Sequence, residues 1–309
     1  MKVAVFAYHN MGIAGLNALV RAGYRIAWIV SHEDDPAENC WFSSVREWGK
    51  ERRIPVECPA DISNKNWEKR IGDLQPEMIF SFYYRHMIPE KILRIPPRGA
   101  YNLHGSLLPD YRGRCPVNWV LVNGETQTGV TLHHMVRKAD AGDIVGQRIV
   151  SIAPDDTAFT LYGKLCAEAG ILLDELLPLM KVGQAPRIPQ ELSRGSYFGG
   201  RRPEDGLINW NWTSSRIFNL IRAVTDPYPG AFCKMENGSK LLIWWGLPEE
   251  GGGQEKTRPP GFVEIDGNRI LIWTGQGRIR LLDVQVANDR LTGDRMVRYF
   301  KNKEGIMLS

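Results

Sequence analysis

The 309-residue chain is 43% hydrophobic and 24% charged, with 39 basic against 35 acidic side chains and a net charge of +4. That usage excludes a disordered or collagen-like chain, and a charge so mild demands no polyanionic partner, though it suits a small anionic substrate. No apolar run approaches the ~20 residues of a membrane span, and the run at residues 3–7 is too short for a signal-peptide core, so a cytoplasmic protein is expected. Cys40, Cys58, Cys115, Cys166 and Cys233 form no Cys-x-x-Cys pair, which indicates neither a zinc ribbon nor a disulfide framework.

The chain opens as a strand-helix-strand unit, with apolar residues at 2–7, helical spacing at 13–22 and a β-branched run at 26–31. Helices are expected at 42–53 and 64–74, and strands at 77–82, 100–104, 128–135 and 143–152. Strands alternating with helices argue a mostly parallel sheet covered on both faces, an α/β fold of Rossmann-like kind. The longest helix is expected at 157–180, with Gly183 and Pro186 as stop signals. Residues 184–206 are rich in Gly and Pro and read as a linker or ordered loop between a domain of residues 1–183 and one of 207–309. After a helix at 213–224 the pattern turns all-β, with short strands at 231–235, 240–245, 261–265, 269–274 and 278–284. Asn237-Gly238 and Asp266-Gly267 fit tight hairpin turns, and the whole suggests a small OB-like barrel. The Gly- and charge-rich stretch 249–257 reads as a mobile loop.

The first strand-to-helix loop, Tyr8-His9-Asn10-Met11-Gly12, carries neither a dinucleotide fingerprint nor a P-loop and is consistent with a plain turn. Asn102 and His104 stand two apart on a strand and therefore share a face, at the carboxyl end where open α/β sheets bind ligands. An amide that stabilises an oxyanion and an imidazole that moves a proton suit acyl transfer; a hydrogen-bonded turn fits the same spacing. Arg112 and Arg114 could hold a carboxylate or phosphate by fork geometry, or form a solvated basic loop. Asp140 could orient His104 and favour its charged form, or serve the turn chemistry of Ala139-Asp140-Ala141-Gly142. His133 and His134 point to opposite faces, a poor arrangement for one metal, and no metal is expected. The aromatic run at 80–88 could line a pocket for a flat ring or pack against helices.

The stretch Asn102-x-His104-x-Ser106-Leu107-Leu108-Pro109-x-Tyr111-Arg112-Gly113, followed by Asp140 and Gly142-Asp143, resembles the 10-formyltetrahydrofolate-dependent formyltransferases, and the resemblance extends over the whole chain. It implies a Rossmann-like catalytic domain followed by a small barrel, with Asn102, His104 and Asp140 as the catalytic trio. It implies a cleft for the 10-formyltetrahydrofolate co-substrate at His86, Met87, Ile88, Arg114, Val136, Arg137, Lys138, Ala139 and Asp140. Residues 5–12, 79–86, 119–125 and 222–232 resemble the branch that acts on UDP-4-amino-4-deoxy-L-arabinose, so a nucleotide-linked amino sugar is the expected substrate. Tyr111, Arg201, Arg202 and Arg222 are candidates for its contacts, because a pyrophosphate needs cationic donors. No Gly-rich dinucleotide fingerprint follows within the sequence, which fits a stand-alone transferase or one domain of a longer chain; oligomeric association is left open. A methionyl-tRNA formyltransferase shares the catalytic segment but calls for a wide basic surface. A non-catalytic barrel binding single-stranded nucleic acid through Trp244 and Trp245 is a third reading.

Overall fold

A computed structural model of the chain describes residues 1–34, 39–249 and 258–309. Its contacts sort into two units, one of residues 1–116, 127–152 and 162–199, the other of residues 117–126, 153–161 and 200–309.

The strands of the first unit are β1 (Lys2–Ala7), β2 (Arg25–Val30), β3 (Val56–Glu57), β4 (Met78–Phe82), β5 (Ala100–His104), β6 (Arg112–Gly113), β7 (Gln127–His134), β8 (Ile144–Ser151) and β9 (Tyr197–Phe198). The helices in chain order are α1 (His9–Arg21), α2 (Val45–Glu51), α3 (Lys65–Leu74), α4 (Glu90–Leu93), α5 (Pro116–Val122), which from residue 117 on counts with the second unit, and α6 (Ala158–Val182), which counts with the first from residue 162 on. The main sheet runs β3-β2-β1-β4-β5-β7-β8. It is parallel as far as β5, and β7 and β8 are antiparallel to their neighbours. The burial follows from that topology. β4 is buried at every position, as a strand covered on both faces must be, whereas β8 at the edge alternates buried and open residues. Helix α1 lies tight on β4: a Cβ on Gly15 would come 2.3 Å from the Phe82 ring, so glycine is what permits the approach. The Met11 amide, one of the donors that a helix leaves unpaired in its first turn, donates to Tyr162 Oη at 2.9 Å.

The stretch 184–199 is ordered along this unit. Ile188 bridges Ile144, and β9 pairs in parallel with β6. A Cβ on Gly195 would meet the Pro109 carbonyl oxygen at 2.1 Å. Gly- and Pro-rich composition here reflects close backbone approach.

The second unit carries α7 (Ser214–Val224) and α8 (Gly293–Phe300) and the strands β10 (Ala231–Lys234), β11 (Lys240–Glu249), β12 (Val263–Asp266), β13 (Arg269–Trp273), β14 (Arg278–Val286) and β15 (Asp289–Thr292). The strands expected as a small barrel form an antiparallel sheet in the order β10-β11-β14-β13-β12, with β15 on β14. Gly238 and Gly267 adopt the left-handed conformation that the two tight hairpins require. From residue 250 on, the loop expected at 249–257 lies outside the described residues. Trp244 is buried, with its indole N–H on Gln285 Oε1 at 2.9 Å, and Trp245 meets the Phe218 ring edge-on; the pair is no open stacking platform. Trp244 is buried by its place in β11 and Trp245 is half-buried, a tertiary effect that the aromatic pair alone does not reveal.

Polar ties join the separate chain segments of this unit. Asn118 Nδ2 donates to the Ala223 carbonyl at 2.7 Å, and Arg222 donates to the Ala153 carbonyl at 3.3 Å. Replacing Asn118 by Ala leaves the Ala223 carbonyl buried and unpaired, so a loss of about 1–3 kcal/mol is expected, read as a lowered midpoint in urea unfolding. An unchanged midpoint would show that water or a neighbour takes over the bond.

Candidate active site

β5 and β7 pair so that Asn102 stands opposite His133 and His104 opposite Thr131. Paired residues share a face, so four polar side chains stand together at the carboxyl end of β5. The chain then doubles back. Thr131 Oγ1 donates to the Ser106 carbonyl at 2.6 Å and accepts from the Leu108 amide at 3.1 Å, and Ser106 Oγ donates to the Asp110 carbonyl at 2.6 Å. The turn brings the Tyr111 carbonyl 2.8 Å from His104 Nε2. A carbonyl only accepts, so Nε2 carries the proton of that bond. Tyr111 is left-handed, with φ 56°, and its ring stacks on Phe198 at 5.0 Å.

Asp140 closes the cluster from the loop between β7 and β8, also in the left-handed region at φ 50°. Its side chain is 12% exposed. Oδ1 lies 3.3 Å from Asn102 Nδ2, 3.4 Å from His133 Nε2 and 3.6 Å from His104 Nδ1, and Oδ2 accepts from the Gly113 amide at 2.9 Å. Burial alone pushes the Asp140 carboxyl up. The charge on His104, the facing His133 nitrogen and the Gly113 N–H outweigh it and hold the group well below the ordinary carboxylate range. Gln190 Nε2 donates to the Asp140 and Gly142 carbonyls and so fixes the loop from behind. A Cβ on Gly142 would fall 2.0 Å from the His134 carbonyl oxygen, which makes glycine obligatory there.

The structure thus brings together Asn102 and His104, which the spacing puts on one face, and Asp140, which the resemblance adds to them, and places His133, which the sequence marks only as a poor metal ligand, beside all three. Its pairing opposite Asn102 is open to view once the two strands are taken as neighbours. Of the cleft candidates, His86, Met87, Arg114, Val136, Arg137 and Lys138 are exposed, whereas Ala139 is half-buried. Ile88 is buried in the apolar core with Ile62, Trp67 and Ile92, so its side chain is engaged in packing. Arg112 is no free fork: it is buried, with Nε on the Ser196 carbonyl and Nη2 on the Leu192 carbonyl, both at 3.3 Å. In the second unit Arg201 lies over the Trp119 ring and donates to the Asp205 carbonyl, Arg202 is exposed, and Arg222 is buried with its guanidinium on Asn219 and Ala153. The stretch that reads as a plain turn is the first turn of α1, and it opens on His9, which is buried, left-handed at φ 64° and without a partner for Nδ1 among the described residues. It sits where the strand order reverses between β1 and β4, and burial, then the charge of Arg85, pushes its pKa down to about 3. A cavity of about 230 Å³ lies at the other end of β5, between Arg98, Tyr101, His134 and Arg187, and shares no residue with the cluster.

The profile of the formyl transferase family matches residues 14–177, more than half of the chain. The chain belongs to the formyl transferase family. The profile of the formyl transferase C-terminal domain matches residues 201–300. Solved structures share the fold of this formyltransferase. An N-formyltransferase from Helicobacter canadensis, in complex with folinic acid and dTDP-3-aminofucose, is 19% identical with a TM-score of 0.69, over 93% of this chain and 100% of that one. A 4-N formyltransferase from Francisella tularensis is 21% identical with a TM-score of 0.66, over 80% of this chain and 97% of that one. HypX from Aquifex aeolicus, in complex with tetrahydrofolic acid, is 18% identical with a TM-score of 0.58, over 98% of this chain and 48% of that one.

The depressed Asp140 carboxyl has a consequence for stability. A carboxyl whose folded pKa lies below its unfolded value of about 3.8 contributes stability above that value and loses it as pH falls towards the folded one. The wild-type protein should therefore lose thermal midpoint below about pH 4 more steeply than Asp140→Asn, in melts taken from pH 7 to pH 3. Parallel curves would mean that the carboxylate gains nothing from its donors.

Proposed function

We propose that this formyltransferase moves the formyl group of 10-formyltetrahydrofolate to the amine of a nucleotide-linked amino sugar, with UDP-4-amino-4-deoxy-L-arabinose as its substrate and lipid A modification and polymyxin resistance as its setting. The observation that carries the reaction class is the enclosed Asn102, His104, His133 and Asp140 cluster in a chain of this family. The folinic acid and dTDP-3-aminofucose bound by the Helicobacter canadensis relative support the donor and the acceptor class. Resemblance of residues 5–12, 79–86, 119–125 and 222–232 supports the particular sugar.

Formyl transfer needs a neutral amine to attack the formyl carbon, a partner for the oxygen that gains charge and an acceptor for the amine's proton. His104 moves that proton, and Asp140, 3.6 Å from Nδ1, stabilises the ring when it is charged. Asn102 holds the formyl oxygen as it gains charge. His86, Met87, Arg114 and residues 136–139 line the donor cleft over Ile88. The reaction requires no metal. Arg201 and Arg202 bind the sugar nucleotide's pyrophosphate, with Tyr111 and Arg222 as further contacts, Arg222 acting by holding its helix.

A panel of nucleotide-linked 4-amino and 3-amino sugars, assayed for release of tetrahydrofolate, tests the reading. Turnover should be highest with the UDP-linked 4-amino-4-deoxy pentose; preference for a 3-amino sugar would reassign the substrate, and activity on initiator methionyl-tRNA alone would reassign the class. His104→Ala should lower kcat by roughly 10²–10⁴-fold. A mutant within a few-fold of wild type removes His104 from the mechanism. Replacing Arg201 and Arg202 together by Ala should raise KM for the sugar nucleotide and leave kcat and the folate KM nearly unchanged, as the loss of uniform binding does. Unaltered kinetics in the folded double mutant would assign the two arginines to the backbone of their own segment.

A further inference from the structure

A second polar hollow lies behind the catalytic strands. Tyr101 and His134 each stand one residue from Asn102 and His133, and neighbours along a strand point to opposite faces. They are cross-strand partners, with ring centroids 4.7 Å apart. On that face they line the cavity of about 230 Å³ together with Arg98, Arg187, Met180 and Pro186. Tyr101 Oη donates to the Arg98 carbonyl at 2.7 Å, and burial keeps the hydroxyl neutral.

The charges of this cavity do not cancel. Arg187 Nε pairs with Asp143 Oδ2 at 2.7 Å, and its two Nη atoms make no hydrogen bond among the described residues. Arg98 Nη2 donates to the Met180 and Lys181 carbonyls at 2.7 and 2.9 Å, which leaves its Nε and Nη1 unused. No carboxylate pairs with Arg98 among the described residues. Two guanidiniums thus share one carboxylate. The carbonyls that close α6 offset only part of the surplus, since a helix C-terminus carries about half a charge. His134 responds to that field. Its ring is half-buried, and its nitrogens make no hydrogen bond among the described residues. Burial first, then Arg187, push its pKa down; Asp143 raises it by less, and His133 adds to the fall. The ring therefore sits in the field of a cation.

We propose that this cavity is a second ligand site, which takes a small organic oxyanion with its carboxylate or phosphate head on Arg98 and Arg187 and its apolar body against Tyr101, Met180 and Pro186. Guanidinium donors match such a head in charge and in fork geometry, and the His134 ring can add an N–H. The cavity is smaller than the ~300–1,000 Å³ of sites that enclose drug-sized ligands, so its ligand is small. It shares no residue with the catalytic cluster, and the inference stands whether or not the formyl acceptor is the proposed sugar.

The test is binding, read at His134. Protein labelled with ¹³C in its six histidines is titrated with benzoate and, separately, with inorganic phosphate, at an ionic strength held constant with sodium chloride. The ring signal lost in His134→Phe identifies His134, and that of His104 reports on the catalytic cluster. A saturable shift of the His134 signal is expected with at least one of the two anions. Its apparent pKa should rise by about one unit at saturation, because an anion beside the ring favours the imidazolium. The tighter of the two anions names the head group. Arg187→Gln, a change at an exposed side chain, should weaken binding by about ten- to a hundred-fold, read from the anion concentration at half-saturation. Arg98→Gln should do the same. Should its thermal midpoint show that loss of the α6 contacts has unfolded it, Arg187→Gln decides alone. A His134 signal that moves with neither anion beyond the chloride control overturns the proposal, as does undiminished binding in folded Arg187→Gln. A response at His104 with none at His134 places the anion at the catalytic cluster and overturns it too.

Discussion

A carboxylate enclosed to the degree of Asp140 stays ionised only where donors surround it, and the surroundings of Asp140 draw on widely separated stretches of the first unit. Asn102 comes from β5, His133 from β7 and Gly113 from β6, while Gln190 reaches the same loop from a segment nearly fifty residues further on. Three strands must be in place before this one charge is matched, and the fourth stretch holds the backbone of its loop. The charge in turn gives each of them a reason for its geometry, since an unmatched carboxylate in such a place costs several kcal/mol.

The same convergence explains the backbone. Tyr111, Cys115 and Asp140 all adopt the left-handed conformation without being glycine, at a cost on the order of 1–3 kcal/mol each. Strain of that size persists only where surrounding contacts fix the chain, and here they do. Ser196 Oγ accepts from the Tyr111 amide, Gly113 donates to Asp140, and the Asp140 carbonyl accepts from Gln190. The stretch 184–199 is a structural member of the site.

Much of this is legible in the sequence. The strands β1, β2, β4, β5, β7 and β8, the long helix α6 and the hairpins of the second unit follow from hydrophobic period and turn residues, because these are local signals, whereas the two-residue β3 is too short to show one. Asn102 and His104 can be placed on one face because a strand alternates. Other features depend on contacts between distant residues. Arg112 and Arg222 read as free cations, yet both are spent on carbonyls that only the folded chain brings near. Trp244 reads as a stacking surface and is a core residue. His133 invites comparison with its neighbour His134, whereas the relevant neighbour is Asn102 across the sheet. The turn at Tyr8–Gly12 holds a strained histidine that no propensity marks.

One consequence follows from the way His104 is held. Its Nε2 hydrogen is on the Tyr111 carbonyl and its Nδ1 faces Asp140. Before substrates arrive, the ring has no lone pair open to solvent. On the proposed reading, a stray water molecule entering the cleft finds no base ready to deprotonate it. Spontaneous hydrolysis of an activated one-carbon donor is thereby kept from becoming a side reaction of the resting enzyme, and the ring can take an amine's proton at Nε2 only in the tautomer that carries its hydrogen on Nδ1, against Asp140.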